Sequence, residues 1–276
     1  MPVTRRGFAL IELLVATLVS AALVVLVGRM LLGAAAMLRD RSERMGLEQS
    51  IRVSVGSAQA MLEPLGVDPG SGADLSAAGA SSLVARVVRG SGVLCDATAD
   101  RLSVRAGPQW WYGLRAPVKN RDTLMVASIL GTAQWISAPL IGNPLTGLCP
   151  DGSQAIVLPT ALSVSSLAAI GGGSPVRVFE PVELRLYPST GSSWVGLRLA
   201  ATAEAIQPLA GPFSAVAPGL DYRDLQGNPT GAGIDVAMVL LSLEGLSERG
   251  GGVGLARRDR VHSDSITVAV SLRGRQ

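Results

Sequence analysis

Arg5-Arg6-Gly7-Phe8-Ala9-Leu10-Ile11-Glu12-Leu13-Leu14-Val15 opens an apolar run that continues to Val27. Two arginines and a glycine come first. One carboxylate, Glu12, stands inside the run, in fifth place counting Phe8 as the first. About 20 apolar residues at a helical rise of ~1.5 Å each cover the ~30 Å hydrocarbon core of a bilayer, so the run predicts a transmembrane helix over 8–27. A plain anchor has no use for an acid. A mid-membrane Asp or Lys costs about 2.5–3.5 kcal/mol on insertion scales, and an ionisable group inside a span is a functional-site candidate by default. The function of the chain therefore turns on Glu12.

These residues resemble the start of the type IV pilin family, which includes the pseudopilins of type II secretion. The Leu10-Ile11-Glu12-Leu13 core matches that family closely. Its leader is short, basic and ends in glycine. A prepilin peptidase cuts after the glycine, the new N-terminal residue, usually phenylalanine, is N-methylated, and a glutamate follows at the fifth mature position. Gly7, Phe8 and Glu12 fall on those places. The resemblance implies a leader over 1–7, processing between Gly7 and Phe8, N-methylation of Phe8 and an assembly role for Glu12. Two residues depart from the pattern. Ala9 stands where threonine is frequent, and Arg29 stands where major pilins often carry a helix-bending proline. The second departure suits a minor pilin or pseudopilin, at or near a filament tip.

The chemistry agrees with the resemblance. Cutting after Gly7 leaves a charged amine on Phe8, which subunit packing would surround with apolar groups. An unpaired buried charge is very costly, so the amine needs a carboxylate. Glu12 of a neighbouring subunit could supply it, and the pair would set the stagger between subunits. Before assembly, Glu12 is expected in the first turn of its own helix, where the macrodipole tolerates an acid.

A second reading uses the same residues. Thr4-Arg5-Arg6-Gly7-Phe8-Ala9-Leu10 also has the form of a twin-arginine export signal, and Ala34-Ala35-Ala36 offers a small-residue cut site. The product would be a soluble exported binding module beginning after Ala36. Against it, the apolar run is longer than the ~7–15 residues of a usual signal, and Glu12 would interrupt it for no reason.

Composition points away from other classes. The chain is 48% hydrophobic and 16% charged, with a net charge of +3. Lys119 is its only lysine. The base is too weak and scattered for nucleic acid, and Asp259 interrupts the Arg257-Arg258-Arg260 cluster. His262 is the only histidine, so neither a hydrolase triad nor a Cys/His metal site is expected. The glycine-rich stretches Gly171-Gly172-Gly173-Ser174 and Gly250-Gly251-Gly252-Val253-Gly254 lack the ending of a phosphate-binding loop. Glu180 and Glu183 read as strand-surface carboxylates. No enzyme activity, cofactor, metal or small-molecule ligand is expected. Cys95 and Cys149 are the only cysteines. After export an even count favours a disulfide, with two buried free thiols as the alternative. The bridge would close a loop of about 55 residues and contribute about 3–4 kcal/mol on the chain-entropy model.

Beyond Val27 the helix is expected to continue. Met30, Leu31, Met37, Leu38, Met45, Leu47, Ile51, Val55 and Leu62 extend an apolar stripe at three-, four- and seven-residue steps, and no proline intervenes before Pro64. Pro64 to Ser82 reads as a loop. Strands are expected at Leu83–Val88, Arg101–Arg105, Thr123–Leu130, Gln154–Leu158, Val176–Phe179, Val182–Tyr187 after a corner at Pro181, Trp194–Ala203, Ile234–Leu243 and Ser265–Leu272. Trp110, Trp111, Tyr112 and Trp135 form an aromatic group that reads as core or a satellite core, with a ligand or partner face as the alternative. The expected fold is α+β: a long N-terminal helix over 8–62, transmembrane in its first half, packed on a β-rich, mostly antiparallel head over 63–276.

Gly219-Leu220-Asp221-Tyr222, the turn near Gly227 and the terminal strand carry a second, looser resemblance, to the heads of the minor-pilin and pseudopilin subfamilies called PilW and J. The two resemblances imply a prepilin peptidase, other pilin or pseudopilin subunits and inner-membrane lipid as partners. They place the N-terminus in the cytoplasm and the head in the periplasm, in agreement with the basic leader.

Overall fold

A computed structural model describes residues 8–68, 72–129, 134–202, 204–215, 219–231, 233–246 and 263–272. It divides into two compact units, one holding 1–49 with 245–264 and the other 50–244 with 265–276.

Helix α1 runs unbroken over Phe8–Leu62. No proline lies within it, and a Cβ added at Gly28, Gly33 or Gly46 would meet nothing within 4 Å, so these glycines mark no close approach. The helix ends at Leu62, two residues before Pro64, whose predecessor is biased away from helical backbone. In the first unit its residues from Leu10 to Leu38 are largely exposed. In the second unit, its last turns bury Ile51, Ala58, Met61 and Leu62 against the sheet.

The segment after the helix is not all loop. Short strands β1 (Val67–Asp68), β2 (Gly72–Ala73) and β3 (Leu75–Ala78) form there, and β3 pairs with the next strand. Then follow β4 (Ser82–Thr98), β5 (Arg101–Arg105), β6 (Trp111–Gly113), β7 (Thr123–Ala127), β8 (Trp135–Pro139), β9 (Leu145–Leu148) and β10 (Gln154–Pro159). A short helix α2 (Val164–Ala169) leads to β11 (Pro175–Ser189), β12 (Ser192–Leu199), β13 (Gln207–Phe213), β14 (Gly219–Arg223), β15 (Met238–Leu246) and β16 (Ser263–Ser271). All but β1 and β2 join one sheet, ordered β14-β15-β13-β12-β11-β4-β5-β10-β9 along its main path. Each described register is antiparallel, as in β4 against β11 and β11 against β12. The α+β class expected from the sequence is the class observed.

Two further expectations are corrected. Pro181 is no corner: β11 passes straight through it. Pro181 opposes Arg86 on one side and lies one position past the end of β12 on the other, where its carbonyl accepts from Ala200 N–H at 2.9 Å. The missing proline N–H thus costs no ladder bond. Strand β4 is far longer than Leu83–Val88, because Gly90 and Gly92 do not end it. They make room for the Trp111 indole: a Cβ on either would lie 2.7 or 2.8 Å from its ring.

The residues of β11 that alternate onto one face are Val176, Val178, Glu180, Val182, Leu184 and Leu186, and all are buried. They divide between two cores. The larger joins Val182, Leu184 and Leu186 to the end of α1 and to Leu83, Phe213, Leu220 and Leu241. The smaller joins Val176 and Val178 to Leu94, Leu102, Val104, Leu124 and Leu158. Glu180 stands between them.

Tyr222 closes the edge of the larger core. Its hydroxyl donates to the Gly79 carbonyl at 2.8 Å, and burial pushes its pKa up to about 12. The folded value lies above the ordinary 10.0, so this contribution is complete below pH 10 and is lost as pH rises towards 12. Tyr222→Phe should cost about 1 kcal/mol at neutral pH. It should also flatten the fall of the melting midpoint between pH 10 and pH 12.

Candidate functional site

Glu12 is the first ionisable residue of α1, and Arg29 is the next. Phe8 is the first described residue and is already helical, so the expected first-turn position of Glu12 turns on residues outside those described. Glu12 is exposed, flanked by Ile11 and Leu13, each 68% exposed. Phe8 and Glu12 are four positions apart, so their Cα atoms lie on one helix face. Gly7 lies outside the described residues, as do His262 and the arginine-rich loop.

Among the described residues, one helix is long and apolar enough to cross a membrane, Leu10–Leu62, and its most apolar window is entirely unburied. Continuous exposed apolar surface of this extent is matched by lipid or by other protein, not by water. An acid in that surface is costly until it meets a cation.

The head holds its own charged site, which sequence reasoning missed. Glu180 is 1% exposed, not a surface residue. Arg89 Nε donates to its Oε2 at 2.6 Å, Arg115 Nη2 donates to its Oε1 at 3.0 Å, and Arg121 Nε also donates to Oε1. Arg115 grips Asp122 with both terminal nitrogens at 2.6 Å, and this pairing raises the pKa of Arg115. Burial pushes the Glu180 pKa up, but the bonds from Arg121 and Arg89 and the surrounding positive charge outweigh it, and the net shift is downward. Glu183, 6% exposed, likewise pairs with Arg198. The signal for Glu180 was in the sequence: an acid at a core-parity position of an otherwise apolar alternation.

Glu180→Gln should destabilise the head by about 3 kcal/mol, the low end of the ~3–5 kcal/mol for breaking a buried pair. The low end applies because Arg89, Arg115 and Arg121 are 27%, 26% and 35% exposed and can turn to water. The carboxyl pKa is depressed in the fold, so its contribution is present above the ordinary value of 4.5 and is lost as pH falls below it. Melting curves of both proteins across that range should show a steeper acid limb for the native chain.

Cys95, in β4, and Cys149, just after β9, form a disulfide with a Cα–Cα distance of 5.7 Å. The turn after Cys149 is held further by Asp151. It accepts from Ser153 and from Arg105 Nη2, the latter at 2.6 Å, and these bonds bring its pKa down to about 2. The aromatic group is dispersed. Trp111 is inserted beside the smaller core, Trp135 lies under Arg177 at 4.3 Å, and Trp110 and Tyr112 are 45% and 66% exposed. Among the described residues, no group of His, Cys, Asp and Glu could hold a metal ion. Compared with family models, with curated proteins and with solved structures, the chain matches none.

Proposed function

We propose that this chain is a minor pilin or pseudopilin, an inner-membrane subunit extracted into a type IV pilus or a type II secretion pseudopilus. A prepilin peptidase hydrolyses the Gly7–Phe8 bond, water supplying the new carboxylate of Gly7 and the new amine of Phe8. The amine gains one methyl group from a methyl donor and releases a proton. Residues 8–27 hold the subunit in the bilayer, with the head in the periplasm. On assembly, Glu12 pairs with the Phe8 amine of a neighbouring subunit. A tip position suits a chain that carries Arg29 in place of a bending proline.

The observation that supports this reading most is the placement of Glu12. It is the one carboxylate between Phe8 and Asp40 on an exposed apolar helix, and it stands five residues past a glycine preceded by two arginines. The test is the intact mass of the protein recovered from its native membrane. A chain beginning at Phe8 and one methyl group heavier is the expected result. A chain beginning at Met37 would replace the proposal with the exported soluble module.

A further inference from the structure

Beside the Glu180 cluster lies an apolar cleft of about 410 Å³. The adjacent strands β4, β11 and β12 contribute Val87, Val182 and Leu197 to its lining. Met61 and Leu65, from the end of α1 and the turn after it, contribute too. Two further lining residues give the cleft its chemistry, Leu114 and Arg89.

Three arginines, Arg89, Arg115 and Arg121, here face two carboxylates, Glu180 and Asp122, so among the described residues the cluster keeps one positive charge in excess. Arg89 binds Glu180 through Nε alone, which leaves its two terminal nitrogens for another acceptor. A carboxylate laid on that guanidinium would form a charge-assisted bond in partly desolvated surroundings. Leu114, one of the lining residues, is 81% exposed. A small molecule contained by the cleft would leave most of that side chain in water. A polypeptide would cover it, and interface anchors of this kind are apolar or aromatic side chains ringed by polar groups.

We propose that this cleft docks a segment of another protein, which inserts an aliphatic side chain and places a neighbouring carboxylate on Arg89. The inference does not depend on the filament reading, since every residue it uses lies in the second compact unit, 50–244 with 265–276.

The experiment uses the full chain in detergent micelles and two photoactivatable peptides, acetyl-Leu-photoleucine-Glu-Leu-amide and its Gln counterpart, with the labelled residues mapped by mass spectrometry. The Glu peptide should label residues 57–65, 87–89 and 114, with half-saturation about tenfold lower than the Gln peptide, which corresponds to about 1.4 kcal/mol. Leu114→Asp should reduce that labelling by about tenfold through lost apolar contact and like-charge repulsion. Its melting midpoint should not change, because Leu114 is exposed. Equal labelling by both peptides, labelling outside the cleft, or none would overturn the proposal.

Discussion

Glu12→Ala is expected to leave cleavage after Gly7 intact and to abolish entry of the chain into filaments. Cleavage depends on the leader and on the bond before Phe8, and the substitution touches neither. Assembly, on the proposed reading, carries the Phe8 amine out of the bilayer surface and into apolar surroundings. A buried cation stripped of its partner costs about 3–5 kcal/mol, and each ~1.4 kcal/mol is a factor of ten. One such interface therefore loses about two to three and a half orders of magnitude in its equilibrium constant. The helix has no substitute acid, because no other carboxylate lies between Phe8 and Asp40. Glu12→Gln should behave like Glu12→Ala, which would separate charge from size. The check is paired: intact mass of the membrane-bound variant, and its abundance in sheared filaments. A variant present in filaments at the native level would remove Glu12 from the assembly mechanism.

Replacing Cys95 and Cys149 together by serine should lower the stability of the head by about 4 kcal/mol on the chain-entropy model. The two cysteines are 54 positions apart. The loop they close contains β5 through β9 and several strands of the smaller core, so the bridge restrains the unfolded chain where many long-range pairings must form. Cys149 is 4% exposed, and a serine there adds a buried hydroxyl. For a unit of this size, each ~1 kcal/mol moves the melting midpoint by about 2–4 °C, so a fall of about 8–16 °C is expected. Thermal unfolding followed by near-ultraviolet circular dichroism would measure it. A shift below about 2 °C would mean that the turn after Cys149 is held by Asp151 and its partners alone.

The helix was legible because two independent signals agree along it. Apolar residues recur at helical steps as far as Leu62, and no proline falls before Pro64. The alternating strands were legible for the same reason, and β5 was expected at the bounds observed, Arg101–Arg105. The misreadings share a cause: each residue type acts through a neighbour that is remote in sequence. Gly90 and Gly92 look like a break until Trp111 is laid over them. Pro181 looks like a corner until β12 is seen to end one position short of it. Strands β6, β8 and β9 are three to five residues long, and their pairing partners, not their own patterns, make them strands.

The two cores on the face of β11 differ in how the chain reaches them. The smaller is built from one contiguous stretch, Leu94 to Val178, whereas the larger takes residues from Ile51 to Ala85 and then from Val182 to Leu272. The smaller core is thus an insertion nested between two halves of the larger, with β4 and β11 shared by both. During synthesis from the N-terminus, every residue of the inner core has been made while the last strands of the outer one are still absent. Shorter loops also close at lower entropic cost. The inner body can therefore close first and present β4 and β11 already paired, a template on which Phe213, Leu220, Leu241 and Val270 are added as they emerge.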